Sequence, residues 1–482
     1  MNLKSKKKNS KYILLIMLVT VLLVVFTGCS NNTEKGDKAE LIIDSNDTKN
    51  TVSTKIENEK VYVSLKEAFE FLGGKCDIEG NNANITKDKD TVKVDSTSKD
   101  AYVNSTKVTM SDMPKVINKD IYVPIDFLNE SMDARVTYDK ENKTLNIRTE
   151  MPLLYTKSFS VQYLKGGLKK VVDGDKRTFI LVPDGKTVPE EYKNEVAIKT
   201  PIKNVLTAST TQACLLRPIN ELSSISGVTT AADQWQIEEV KKNIESGKIA
   251  FVGNSKAPDY EKISSLKPEI VFVYSGPAGQ QAMMEKLDEL KINYAVDNEY
   301  LEESPFGRVE WMKFLAAFYD KEEEAEKYFN KAIETVKKET EKIANMDKPK
   351  IAWGFISKGE VYVPKSGSYV AEMIKMAGGE YIFDDLGVGN GKISIEEFYA
   401  KSKDADIFIY SSTSQWNPTL KSIIEQAPTL EKLDAVKNKN VWCFHPDYWQ
   451  STDKVDELII DLVNILHNQK ENKEIKHYIK YE

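Results

Sequence analysis

The stretch that decides the fold is PDYEKISSLKPEIVFVYSG, Pro258 to Gly276, because a second stretch, ISIEEFYAKSKDADIFIYSS, Ile393 to Ser412, repeats its plan. Each begins with a short helix carrying a glutamate in its first turn, Glu261 and Glu396. Each breaks at Lys267-Pro268 or Lys403-Asp404 and then enters an apolar run, Ile270 to Tyr274 or Ile407 to Tyr410. Apolar strands that follow helices without alternating polarity indicate parallel sheets covered on both faces. Between the copies lie two helical segments, SPFGRVEWMKFLAAFYD and the charged KEEEAEKYFNKAIETVKKETEKIANM. The second, some 25 residues long, predicts a helix of roughly 37 Å. The expected architecture is α/β: two α/β lobes joined by a long helix and facing one cleft.

The lobes extend outward from these copies. The first, residues 201–303, takes Val205–Thr211 as a short strand passing into a hydroxyl-rich turn and a helix, Ile249–Val252, Ile270–Tyr274 and Tyr294–Val296 as strands, and Gln281–Leu290 as a surface helix. The connector occupies 304–346. The second lobe, 347–470, takes strands at Ile351–Phe355, Glu360–Val363, Ile407–Tyr410 and Val441–Phe444, leaving 471–482 as a C-terminal tail. Ahead of the first lobe, SFSVQYLKGGLKKVVDGDKRTFILVP alternates around Gly-Gly and Asp-Gly turns. It predicts a hairpin or meander within a β-rich extension over 151–200.

At the N-terminus, Lys4, Lys6, Lys7, Lys8 and Lys11 precede the apolar run Tyr12 to Phe26 and then Thr27-Gly28-Cys29. The run is short for a membrane span and fits a secretory signal over 1–28. It resembles a lipoprotein signal in which Cys29 becomes the lipidated first residue, tethering the chain outside the cytoplasm. An uncleaved anchor is the alternative. Residues 29–55 are polar and read as a flexible linker.

A domain over 56–150 contains an internal repeat. VYVSLKEAFEFLGGKCDIEGNNANI (Val61 to Ile85) matches IYVPIDFLNESMDARVTYDKENKTLNI (Ile121 to Ile147) at a period of about 60 residues, strand, helix, strand, turn, strand. One half lacks the apolar positions for a core, so the halves are expected to pack together. This small α+β stalk resembles the N-terminal domain of copper amine oxidases, a module of Gram-positive surface proteins. The resemblance implies a spacer or envelope contact and no oxidase activity.

Composition narrows function. The net charge of −7, with both signs interspersed, argues against a nucleic-acid partner. The three histidines, His445, His467 and His477, all sit near the C-terminus, and only His445 stands near an expected strand end, so a bare-metal site is not expected. No cofactor is expected. Nor does a nucleophile–base set or a phosphate loop stand out, so no enzyme is expected.

Residues 200 to 468 resemble the helix-hinged substrate-binding proteins of ABC importers, the family that handles ferric siderophores, haem and cobalamin. The motifs are PDYEKISSLKPEIVFVY, SPFGRVEWMKFLAAFYDKEEEAEKYF, VAEMIKMAGGEYIFDDLG and ISIEEFYAKSKDADIFIY. The resemblance implies capture of a metal chelate or corrinoid and delivery to a permease with its ATPase. It makes Glu261 and Glu396 the permease-docking acids, with Glu397 a rival for the second. Both also read as acids favoured at helix starts, but the resemblance favours docking. For the cleft, the residues just beyond strand ends stand out: Thr210, Tyr274, Trp416, Tyr448 and Trp449, among further aromatics at Trp235, Trp353, Tyr362 and Tyr369. Arg217 and Arg308, two of only five arginines, are candidate anion clamps. A cell-envelope sensor or adhesion protein with the same lobes is the alternative.

Overall fold

The computed structural model describes residues 36–44, 46–387, 390–467 and 473–482. The signal sequence, Cys29 and the first part of the expected linker lie outside the described residues. The chain divides into two compact units, one essentially the stalk and one running from residue 147 to the C-terminus.

In the stalk, the strands Lys60–Ser64 and Asp120–Pro124 pair antiparallel with Val63 opposite Val123. Those two residues are equivalents one period apart, so the pair sits on a local two-fold axis relating the halves. Each strand leads into a seven-residue helix, Leu65–Phe71 or Ile125–Ser131. The symmetry then breaks. The hairpin of the second half, Arg135–Asp139 and Thr144–Arg148, joins the seven-stranded sheet, whereas its counterpart, Lys75–Glu79 and Asn82–Lys87, begins a separate five-stranded meander. The expected linker is corrected here: strands Asp37–Ile43 and Asn46–Glu57 occupy most of it and pair within the larger sheet. Ala39, Leu41 and Val52 are wholly buried, enough apolar anchoring to order an otherwise polar run.

The second unit begins with a four-stranded sheet, Ser160–Tyr163, Lys169–Val172, Thr178–Pro183 and Val196–Thr200. Its first three strands form an antiparallel meander, and the fourth is parallel to the third. It abuts the first lobe through Asp173, a buried residue whose carboxylate accepts the Val296 N–H at 2.9 Å and those of Arg177 and Asp175. Gly174 passes so close to Asn298 that a Cβ there would lie 2.8 Å from its Nδ2.

The first lobe is a five-stranded, wholly parallel sheet in the order Ala250–Phe251, Ile225–Val228, Val205–Thr207, Ile270–Val273, Tyr294–Val296. The second lobe is mixed. Lys350–Ser357, Ile407–Thr413 and Val441–Phe444 are parallel neighbours, flanked by antiparallel Glu360–Pro364 and Asn390–Ser394 on one side and Tyr478–Lys480 on the other. The expected C-terminal tail is therefore an edge strand of this lobe: His477, Tyr478 and Tyr481 are buried.

Between the lobes run two helices, Pro305–Ala317 and Glu322–Glu341; the second, at 20 residues, spans about 30 Å. The first is buried at every position except Arg308. Its Glu310 and Lys313 pair at 2.9 Å. The Glu310 carboxylate also accepts the backbone N–H groups of Leu154, Tyr155 and Thr156, so a charge in the core is fully satisfied. Phe272 of the first lobe, Phe318 and Trp311 of the connector, and Trp353 of the second belong to one continuous apolar core.

Candidate functional site

In the first lobe the strand Val205–Thr207 ends in a capping box. Ser209 caps the helix Thr210–Leu216, and Gln212 returns its side-chain oxygen to the N–H groups of Ala208 and Ser209. This places Thr211 at the cleft. In the second lobe, Val441–Phe444 runs into the short turn Tyr448–Gln450, and the helices Tyr369–Met376 and Val455–His467 pack alongside.

Between the two lies a cavity of about 60 Å³. Thr211 comes from the first lobe and Arg308 from the connector. The second lobe adds Tyr369, Met373, Tyr448, Trp449, Thr452, Val455 and Leu458. A pocket that envelops a drug-sized ligand measures ~300–1,000 Å³, so this cavity accommodates only a few heavy atoms.

Arg308 lies over the Tyr369 ring, 3.9 Å from its centroid, and donates from Nη2 to the Tyr300 carbonyl at 2.7 Å. Its Nε is buried without a hydrogen-bond partner. Below it, Asp297 and Glu299 are buried, and burial pushes both carboxyls up; the Arg308 charge and the Thr211 hydroxyl partly oppose this at Glu299. Tyr448 is buried and stacked on Phe444 at 3.7 Å with 5° between the rings. Burial drives its phenol well above the ordinary range. Trp449 meets Phe444 edge-on at 5.3 Å and remains 51% exposed.

The residues singled out from the sequence fall in several places. Arg308, Tyr448 and Trp449 line the cavity, as does Tyr369 from the wider aromatic set; Thr211 lines it beside the expected Thr210, whose carbonyl accepts from Cys214 Sγ. Tyr274 lies edge-on to Tyr300, the residue that anchors Arg308. Trp416 is 81% exposed, in a loop whose Ser414 N–H bonds the Phe444 carbonyl. Trp235 and Trp353 are core residues. Arg217 is not in the cavity lining. Its Nε and Nη2 bind Asp453 of the second lobe at 2.9 and 2.5 Å, and Nη2 also reaches the Gln450 carbonyl.

That ion pair belongs to a clasp between the lobes which has no local signal in the sequence. The Gln450 amide accepts from the N–H groups of Gln236 and Ile237 and donates to the Gln234 carbonyl, while Tyr328 donates to the Asp453 carbonyl. Asp453 is 2% exposed; burial pushes its carboxyl up, and the Arg217 hydrogen bonds and charge oppose that shift.

Glu261 and Glu396 are exposed, and each is the second residue of its helix, Tyr260–Leu266 or Ile395–Ser402; Glu397 is the third. Among the described residues none of the three has an ion-pair partner.

A family model described as periplasmic binding protein matches residues 207–448, and one described as copper amine oxidase N-terminal domain matches 42–147. An uncharacterized lipoprotein of Methanocaldococcus jannaschii is 36% identical over 361 residues, 68% of this chain and 86% of its own. An uncharacterized protein of the same organism is 27% identical over 302 residues, 59% of this chain and 89% of its own. A solved structure of a possible iron-binding (periplasmic solute-binding) protein from Staphylococcus epidermidis aligns at a TM-score of 0.46 and 16% identity, covering 56% of this chain and 100% of that one. With half of its length matched by that first family model and a lipoprotein relative aligned across most of both chains, the chain belongs to the periplasmic binding protein family.

Proposed function

We propose that the protein is the extracytoplasmic receptor of an ABC importer, tethered through a lipid on Cys29, that captures a metal chelate (ferric siderophore or haem) or cobalamin and passes it to a permease with its ATPase. The observation that carries this reading is the cleft. Residues of both lobes and one connector arginine converge on an aromatic-walled cavity, and two exposed, unpaired glutamates occupy the same position in equivalent helices, one per lobe. The matching helix position favours Glu396 over Glu397 as the second docking acid. A bulky ligand exceeds the cavity, so its body rests on the exposed faces of Trp449 and Trp416 while a small substituent reaches Arg308. Deeper entry requires the Arg217–Asp453 clasp to part. The lipoprotein relative supports the membrane tether, and the stalk acts as a spacer.

The docking assignment is tested by Glu261→Lys and Glu396→Lys in cells that depend on the importer. Uptake is expected to fall to background while the purified variants bind ligand as the parent does. Undiminished uptake in the double variant overturns the docking role.

A further inference from the structure

The C-terminal strand carries a histidine with an unusual setting. His477 is 1% exposed. Its Nε2 lies 3.0 Å from Glu457 Oε2, on the helix Val455–His467, and its Nδ1 lies 3.3 Å from Asp447 Oδ1. A neutral imidazole has one N–H to donate; with a carboxylate oxygen against each ring nitrogen, both must carry protons. Asp447 also contacts His445 Nδ1 at 2.7 Å. Asp461 accepts the backbone N–H groups of Lys476 and His477, and Lys476 pairs with Glu457 at 2.9 Å. Among the described residues, no group of histidine, cysteine and acidic side chains is placed to hold a metal ion, so this cluster is an ion-pair network.

Asp447 is the residue immediately before the cleft turn. Its carbonyl accepts the Gln450 N–H at 2.7 Å and the Ser451 hydroxyl at 3.0 Å. The turn it holds presents Tyr448 and Trp449 to the cavity and Gln450 to the first lobe.

We infer that His477, as a buried imidazolium, is a positioning residue for the ligand site: it ties the C-terminal strand to Asp447 and so fixes the turn that supplies both the cleft aromatics and the inter-lobe amide. This rests on the reading of the cleft as the binding site, but its test needs no ligand. Burial disfavours the cation, yet Asp447 and Glu457 outweigh that cost and raise the His477 pKa, while the same contacts bring Asp447 down to about 2. A raised histidine holds its contribution below the unfolded value of about 6.5 and loses it as pH climbs through the folded value. Asp461, pushed up to about 6 by burial, titrates at the lower edge of that window.

The experiment uses the mature chain between about pH 6.5 and 9. Nitrogen-15 NMR of the His477 ring is expected to show both nitrogens protonated at pH 7. The emission of Trp449, taken as the difference from a Trp449→Phe variant, is expected to shift with the same midpoint. His477→Gln should abolish that shift, and His445→Gln should leave it. If His477→Gln fails to fold, Glu457→Gln, which removes one facing negative charge, is expected to lower the midpoint by about one pH unit. A neutral His477 ring at pH 7, Trp449 emission that is flat through the titration, a shift that follows His445 instead, or an unmoved midpoint in Glu457→Gln overturns the inference.

Discussion

The first lobe meets the cleft with Thr211, a single hydroxyl set by a capping box, whereas the second brings three aromatic rings, the apolar side chains of Met373, Val455 and Leu458, and one hydroxyl at Thr452. The sheets differ in the same sense. One is uniformly parallel; the other is mixed and takes its last strand from the end of the chain. Under the proposed function, the contrast teaches that the lobes divide the work: the second supplies most of the apolar contact area, and the first, with Arg308 beside it, supplies polar orientation.

Substitutions can break or sharpen that division. The largest effect is expected at Tyr448, where Tyr448→Ala empties a site stacked against Phe444. It should cost about 3–5 kcal/mol in urea unfolding and remove ligand binding. Arg217→Met follows, because it leaves Asp453 buried without its partner; the loss expected is about 3 kcal/mol. Replacing both partners with apolar residues should recover much of that loss, and a double variant no more stable than the single one would contradict the clasp. In Thr211→Val a hydrogen-bonding group is lost from the polar side, with a stability change of about 1 kcal/mol and a drop in ligand affinity measurable by calorimetry. The smallest stability effect is expected from Trp416→Ala, within about 0.5 kcal/mol at an exposed site. Loss of its stacking should still weaken ligand affinity about tenfold; unchanged affinity would confine the site to the cavity walls.

Much of this arrangement was legible in the sequence where apolar runs are unbroken. Val441–Phe444 is the strand expected, residue for residue, and Ile270–Val273 and Ile407–Thr413 stand where the repeated motif places them. The strand Ile225–Val228 was not among those expected, because Ser226 and Gly227 interrupt its apolar run. The structure gives the reason for glycine there: a Cβ on Gly227 would lie 2.9 Å from Leu266 Cδ1. The strand Tyr478–Lys480 is three residues among charges and exists through pairing with Val441–Phe444. The clasp was illegible for a similar reason: Arg217 and Asp453 lie 236 residues apart, and the scarcity of arginine marked Arg217 without showing that an internal carboxylate claims it. Arg308 is the opposite case. It is the only residue of its helix that is not buried, and the same scarcity of arginine that marked Arg217 marked a residue that does line the cavity.

The central claim is that the inter-lobe cleft captures a chelate or corrinoid on the aromatics of the second lobe. The direct measurement is a titration of the soluble chain from Ser30 with haem, a ferric siderophore and cobalamin, following tryptophan emission in the parent and in Trp449→Phe. The account predicts saturable quenching by one of the three, much reduced in the variant. Absence of saturable binding by all three, or quenching that the variant retains in full, would contradict it.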